Sequence, residues 1–238
     1  MRHKKRFILL ILINILFFIA TIITGVLYIE NAINLIPGNN YTYKTVASSV
    51  FLLCSFTNIV LLICLRDVVN KAYITLLFIG QIFAFAGDVI LMYNFVIGAI
   101  SFAIGHVFYF FAYCSLQKFK LIDLVFIGVT IAISLSIIFA GKINLGSDLP
   151  VVVGYAIIIS CMLGKSASLF LGNMKIATII FIGSLMFYLS DMFLMLAIYS
   201  DLVGGTVLCL SFYYPAEFIL ASSVSSVSYL LKKEFLYE

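Results

Sequence analysis

Charge is what this chain has least of. Of its 238 residues 10% are charged and 64% hydrophobic, and the mean hydropathy is +1.23. A soluble domain of this length could not cover such a composition with polar surface, whereas a bilayer removes the need. The net charge of +4 has no basic face behind it, because the lysines and arginines are scattered between apolar runs; nucleic acid is not an expected partner. The five cysteines (Cys54, Cys64, Cys114, Cys161 and Cys209) are odd in number and contain no C-x-x-C, so they read as small apolar packing residues. There is no H-x-x-x-H pair, and one intramembrane histidine beside three acids suits no familiar tetrahedral zinc set. Neither a metal nor an organic cofactor is expected. Pro215 is the one strong break inside a span.

What the sequence does contain is eight apolar runs of roughly twenty residues, the length that crosses a bilayer core. They run approximately Phe7–Ile29, Thr45–Leu65, Tyr73–Met92, Phe95–Tyr113, Leu121–Ala140, Pro150–Ser166, Ile176–Ile198 and Val203–Leu231. The first follows Arg2, Lys4, Lys5 and Arg6 in the manner of a secretory signal, but it is too long for an h-region and ends at Glu30-Asn31 without a small-residue cleavage site. It reads as a retained span. The expected fold class is an all-α polytopic membrane protein of eight transmembrane helices, a single domain over residues 1–238.

Twelve of the fourteen lysines and arginines fall on one side of this arrangement: four at the N-terminus, then Arg66 and Lys71, Lys118 and Lys120, Lys165 and Lys175, Lys232 and Lys233. The other side holds Lys44 and Lys142. By the positive-inside rule both termini are cytoplasmic. In a bacterium the protein would sit in the cell membrane.

Two spans echo one another. Phe78-Ile79-Gly80, then Asp88, then Leu91-Met92 is matched by Phe181-Ile182-Gly183, Asp191 and Leu194-Met195, six identities in fifteen positions. Downstream, Phe108-Tyr109 and Ala112 are echoed by Phe212-Tyr213 and Ala216. Both spans run outward from the cytoplasm, so the halves 1–117 and 118–238 read as parallel repeats, with shared sites expected at their interface.

A carboxylate inside such spans is costly and faces the bundle interior. Helical spacing puts Gly80, Ala84, Gly87 and Asp88 on one face; Gly98, Phe102, Gly105, His106 and Tyr109 on another; Gly183, Phe187, Ser190 and Asp191 on a third; and Tyr213, Tyr214, Glu217 and Ala221 on a fourth. These faces predict a polar pocket in the outer half of the membrane, with Lys44 at its rim. Each residue also has a plainer reading. The aspartates could simply bond Ser, Tyr or His on neighbouring helices, His106 and the tyrosines could be packing residues, Glu217 could cap a kink at Pro215, and Lys44 could snorkel.

The run Gly80-Gln81-Ile82-Phe83-Ala84-Phe85-Ala86-Gly87-Asp88-Val89-Ile90-Leu91-Met92, continuing through Phe95, Gly98, Phe102 and His106 to Tyr109, resembles the first motif of the YhhN family, the lysoplasmalogenases. Gly183 to Asp191, with Phe187 and Ser190, resembles the family's second signature, and Tyr214-Pro215-Ala216-Glu217 its last, where Glu217 stands in place of the family's usual Gln. Of the Lys-Pro pair that opens the family's second span, this chain has Lys44-Thr45. The resemblance covers spans two to eight. It implies a membrane hydrolase that cleaves the vinyl-ether bond of lysoplasmalogen, releasing a fatty aldehyde and glycerophosphoethanolamine or glycerophosphocholine. Protonating the β-carbon of a vinyl ether creates an oxocarbenium ion, to which water adds. That chemistry asks for one carboxyl that holds its proton and one that has lost it, the division glycosidases make around a similar cation. The expected catalytic pair is Asp88 and Asp191, without a division of roles. His106, Tyr109, Ser190, Tyr214 and Glu217 support it, and Lys44 binds the substrate phosphate. The substrate is a lysophospholipid drawn from membrane lipid.

Three other classes fit the same residues. A small transporter would use the acids to relay protons or bind a cation. A metal-dependent lipid amidase or hydrolase would use Asp88, His106, Asp191 and Glu217 as ligands, and a structural bundle would use them only as interhelical bonds.

Overall fold

The helices begin where the sequence supplies a cap. Asn39, Asn70, Asn94 and Asn173 each precede a helix, and their side chains accept from the backbone N–H of Tyr41, Tyr73, Ile97 and, for Asn173, both Lys175 and Ile176. These caps open α2 (Asn40–Leu65), α3 (Lys71–Leu91), α4 (Phe95–Leu116) and α7 (Met174–Tyr199). The others are α1 (Arg2–Ala32), α5 (Asp123–Ala140), α6 (Leu149–Ser168) and α8 (Gly205–Phe235). Pro150 sits in the first turn of α6, where its missing N–H has no helical partner to lose. The computed structural model describes residues 2–140, 143–200 and 202–235. Of the basic residues counted above, Lys142 and the side chains of Arg2, Lys4 and Lys5 lie outside the described residues.

All eight helices contain a segment long and apolar enough to cross a membrane, and no strand occurs among the described residues. Each falls on one of the expected spans. The chain is an all-α bundle turned inside out relative to a soluble one: Leu12 and Leu16 of α1 are 53% and 67% exposed, while Ser48, Asn58, Gln81 and Glu217 are fully buried. Polar groups turn inward there because lipid offers them nothing, and many of them, such as Ser48 and Asp88, bond to one another.

Close packing of α3 on α4 sets the geometry of the interior. A Cβ at Gly80 would stand 2.5 Å from the Tyr109 ring and 3.0 Å from the Gly105 carbonyl oxygen, and one at Gly98 would stand 2.7 Å from the Leu91 backbone. Small residues let the two backbones approach, as membrane helices require when no hydrophobic force separates protein from lipid. The other neighbours are α7 on α8, α2 on α3 and α8, α3 on α8, α6 on α7 and α4, α1 on α2 and α8, and α5 on α6. The echoing segments thus lie on α3 and α7, each packed along the helix that follows it.

Charges at the end of the bundle that carries the termini tie elements together. Arg6 donates to the Leu65 carbonyl at 2.9 Å, and Asp67 pairs with both Arg6 and Lys232. Lys165, counted above on the side of the termini, stands in the last turn of α6, where its ammonium meets Asp123 of α5 at 2.7 Å with both side chains buried. The candidate site lies toward the opposite end.

Candidate active site

Asp88 and Asp191 hold equivalent places in the sequence echo, and the structure gives them different surroundings. Asp88 stands three residues from the end of α3, about 4.5 Å along the axis. Its Oδ2 accepts hydrogen bonds from Ser48 and Tyr213, both at 2.6 Å, and Lys44 Nζ lies 3.5 Å from Oδ1. The expected rim position of Lys44 is not what is found. α2 begins at Asn40, so Lys44 is carried on the helix on the same face as Ser48, one turn later, and it is 6% exposed beside the carboxylate. Asp88 itself is 3% exposed. This is an enclosed ion pair completed by two hydroxyl donors.

Asp191 lies eight residues, about 12 Å, from the end of α7. Its Oδ2 accepts from the Tyr155 hydroxyl at 2.5 Å and lies 3.3 Å from His106 Nε2, which is also 2.9 Å from the Tyr155 oxygen. His106 Nδ1 is buried without a hydrogen bond. The Nε2–H tautomer fits this arrangement, since a bare ring acceptor is cheaper to bury than an orphaned N–H. Asp191 keeps 11% of its side chain accessible and lines a cleft with a cavity volume of about 60 Å³. The walls are Leu91, Phe95, Ala99, Phe102, Val151, Val152, Leu194, Met195, Tyr155 and Tyr199, so Asp191 is the one carboxyl on an otherwise apolar and aromatic lining.

An aromatic partition separates the two acids. The Phe187 ring lies 4.6 Å from His106 and 5.3 Å from Tyr213, with Phe102 against both Phe187 and Tyr213. Edge-on contacts of this kind hold rings in place at low cost. Tyr213 therefore touches Asp88 with its hydroxyl and the partition with its ring, and His106 does the same for Asp191 from the other side.

The supporting residues divide accordingly. Tyr109 donates to both oxygens of the buried Glu217, at 3.1 and 3.3 Å, and Gln81 stands beside this carboxyl. α8 continues through Pro215, and Glu217 acts as an interhelical acceptor. Glu217 lies within electrostatic range of both aspartates. Ser190 faces Cys209 at 3.4 Å, and Tyr214 turns toward α1, its ring against Tyr28. Neither reaches the cleft. Tyr155 and Ser48 are the residues that sequence reasoning missed. Tyr155 is a polar tip in the run Val151-Val152-Val153-Gly154-Tyr155 of α6, and Ser48 lies one turn from Lys44. Both signals are readable, but neither points to a partner on a distant helix. Among the described residues no group of three or more His, Cys, Asp or Glu side chains gathers in a metal-holding arrangement.

Fold and site together define a polytopic helical membrane protein with an acid exposed in an apolar cleft. The model of the YhhN family matches residues 40–224, most of the chain, and the chain belongs to that family. The match spans α2 to α7 and most of α8, leaving α1 outside it. No curated protein and no solved structure matches the chain.

Proposed function

We propose that this YhhN-family protein is a membrane hydrolase that cleaves the vinyl-ether bond of lysoplasmalogen. The observation that carries the reading is Asp191: a carboxyl set in an apolar cleft, held by a tyrosine and a histidine. An apolar approach suits a lipid chain, and a carboxyl at its base suits acid–base work on a bond that has no charge of its own.

In this mechanism Asp191 touches the substrate. A proton carried on Oδ1, since both hydrogen bonds fall on Oδ2, passes to the β-carbon of the vinyl ether, and the double-bond electrons form the new C–H bond, leaving an oxocarbenium ion. The carboxylate so formed lies beside that cation and takes a proton from the water that adds to it. The hemiacetal then collapses to aldehyde and free glycerol hydroxyl. One proton goes in and one comes back, so the acid is restored. Tyr155 and His106 orient the carboxyl throughout, and positioning of this kind combined with proton transfer is worth about 10²–10⁴ in rate.

In this reading Asp88, the second acid of the pair, has a different task, and its enclosure supports that division. It fixes Tyr213 against the aromatic partition and pairs with Lys44. Lys44 can meet the head-group phosphate as a point charge only by turning away from Asp88. The test is mass spectrometry of lysoplasmenyl lipid incubated with the purified protein. Fatty aldehyde released by the wild type and lost in Asp191→Asn supports the reading; aldehyde release unchanged by that substitution sinks it. Substrate crossing a proteoliposome membrane without any product would place the acids in transport instead.

A further inference from the structure

The vinyl-ether carbon that receives the proton is also the carbon from which the fatty chain departs. Any site for that reaction needs an apolar path beginning at the acid itself. The cleft at Asp191 is small, about 60 Å³, and another space lies directly across part of its wall. Ala99, Val151 and Tyr155 are shared with a second, larger groove of about 330 Å³ between α4 and α6. That groove is lined further by Ala103, Ile104, Val107, Pro150, Gly154 and Ile158, none of them charged. Ile104 and Val107 are each 38% exposed on the bundle surface, so the groove opens sideways into lipid. Gly154 has nothing within 4 Å of where a Cβ would stand, and its missing side chain leaves the floor open. Tyr155 forms the joint: its ring borders both spaces while its hydroxyl rests on Asp191 at 2.5 Å.

We propose that the α4–α6 groove seats the hydrocarbon chain of a single-chain lipid, which reaches Asp191 laterally from the membrane past Tyr155. This inference rests on the hydrolase reading and deepens it. The adjacency of the two spaces across three shared residues names the occupant, since an apolar groove set beside a single carboxyl fits one chain that reacts at its head-group end. Affinity is not what the groove supplies, because a chain leaving bilayer for an apolar wall gains little. It supplies direction and length discrimination, by steric exclusion of chains that do not fit.

Two measurements test this. In the first, Gly154→Phe and Gly154→Leu fill the groove where no atom stands in the way, and Gly128→Leu is the control, since Gly128 on α5 is also exposed with nothing within 4 Å. With wild-type and variant protein in micelles, kcat/KM is compared for long-chain and short-chain lysoplasmenyl substrates. Gly154→Phe is expected to lower the long-chain value about tenfold or more and leave the short-chain value within about twofold, with Gly128→Leu unchanged. An equal loss at both chain lengths, or the same loss in the control, overturns the groove. In the second, a lysolipid with a photoactivatable group on its chain is crosslinked to the wild type and the labelled peptides are mapped. Label on α4 and α6 that resists excess two-chain phospholipid supports the proposal whether or not aldehyde is formed. Label competed away by two-chain lipid, or found between α1 and α8, overturns it independently of the hydrolase reading.

Discussion

Tyr155 of α6 donates a 2.5 Å hydrogen bond to Asp191 of α7, and the same carboxylate oxygen lies 3.3 Å from His106 of α4. Three helices thus converge on one acid. Removing the hydroxyl as Tyr155→Phe takes away a bond to a carboxyl, a loss of about 1.5–3 kcal/mol. The expected outcome is a kcat lowered roughly ten- to a hundredfold with KM nearly unchanged, read by single-substrate kinetics on lysoplasmenyl lipid. A raised KM at constant kcat would make Tyr155 a wall of the cleft and nothing more.

The two aspartates should fail in different ways. Asp191→Asn is expected to lose about 10²–10⁴ in kcat while the melting temperature stays close to that of the wild type. Asp88→Asn leaves Lys44 buried without its counter-charge, and breaking a buried pair from one side costs about 3–5 kcal/mol, so thermal unfolding should shift markedly downward. Adding Lys44→Met to Asp88→Asn removes the stranded charge. The double variant should recover most of the lost stability and still bind substrate poorly, if Lys44 meets the phosphate. Thermal melts and KM read on the same samples separate these outcomes.

Glu217 offers a sharper contrast. Its carboxylate accepts from Tyr109 at both oxygens, and a Gln carbonyl at that position can accept the same hydroxyl. Glu217→Gln is therefore expected to keep most of the stability and activity. Glu217→Leu strands the Tyr109 hydroxyl in the interior at about 1–3 kcal/mol. A Glu217→Gln variant as inactive as Asp191→Asn would show that the negative charge itself is needed.

The α3–α4 contact has its own test. Gly80→Ala places a methyl group 2.5 Å from the Tyr109 ring and 3.0 Å from the Gly105 oxygen, so either the ring or the helix has to move. Overpacking of this kind costs about 1–3 kcal/mol. Because Tyr109 carries the bond to Glu217, the variant should lose stability together with that bond. Gly154→Ala, where space is open, should be thermally neutral in the same melting assay.

Much of the fold was legible because the bilayer imposes a length and a sign. Eight apolar runs of spanning length, with basic residues alternating between them, left little choice of architecture, and each expected span contains one helix of the structure. Helix faces were equally legible. Gly80, Ala84, Gly87 and Asp88 share the buried side of α3, and Gly98, Phe102, Gly105, His106 and Tyr109 that of α4, because 3.6 residues per turn fixes which side chains align. Lys44 is the instructive exception. Its expected place at a rim depended on where α2 begins, and Asn39 caps that helix early enough to carry the lysine inward.

Sequence by itself determined that two acids lie inside a membrane bundle, each on a face of small and aromatic residues, since composition and helical period are local properties. Tertiary structure alone decided how they differ. Asp88 is closed in by Lys44, Ser48 and Tyr213 from two other helices, whereas Asp191 keeps an open side on the cleft and gains Tyr155, a residue the echo has no means of indicating. Periodicity orders the residues of one helix; which helix stands opposite is set by how closely backbones pack, and here glycines on α3 and α4 and the placement of α6 between α4 and α7 made that choice.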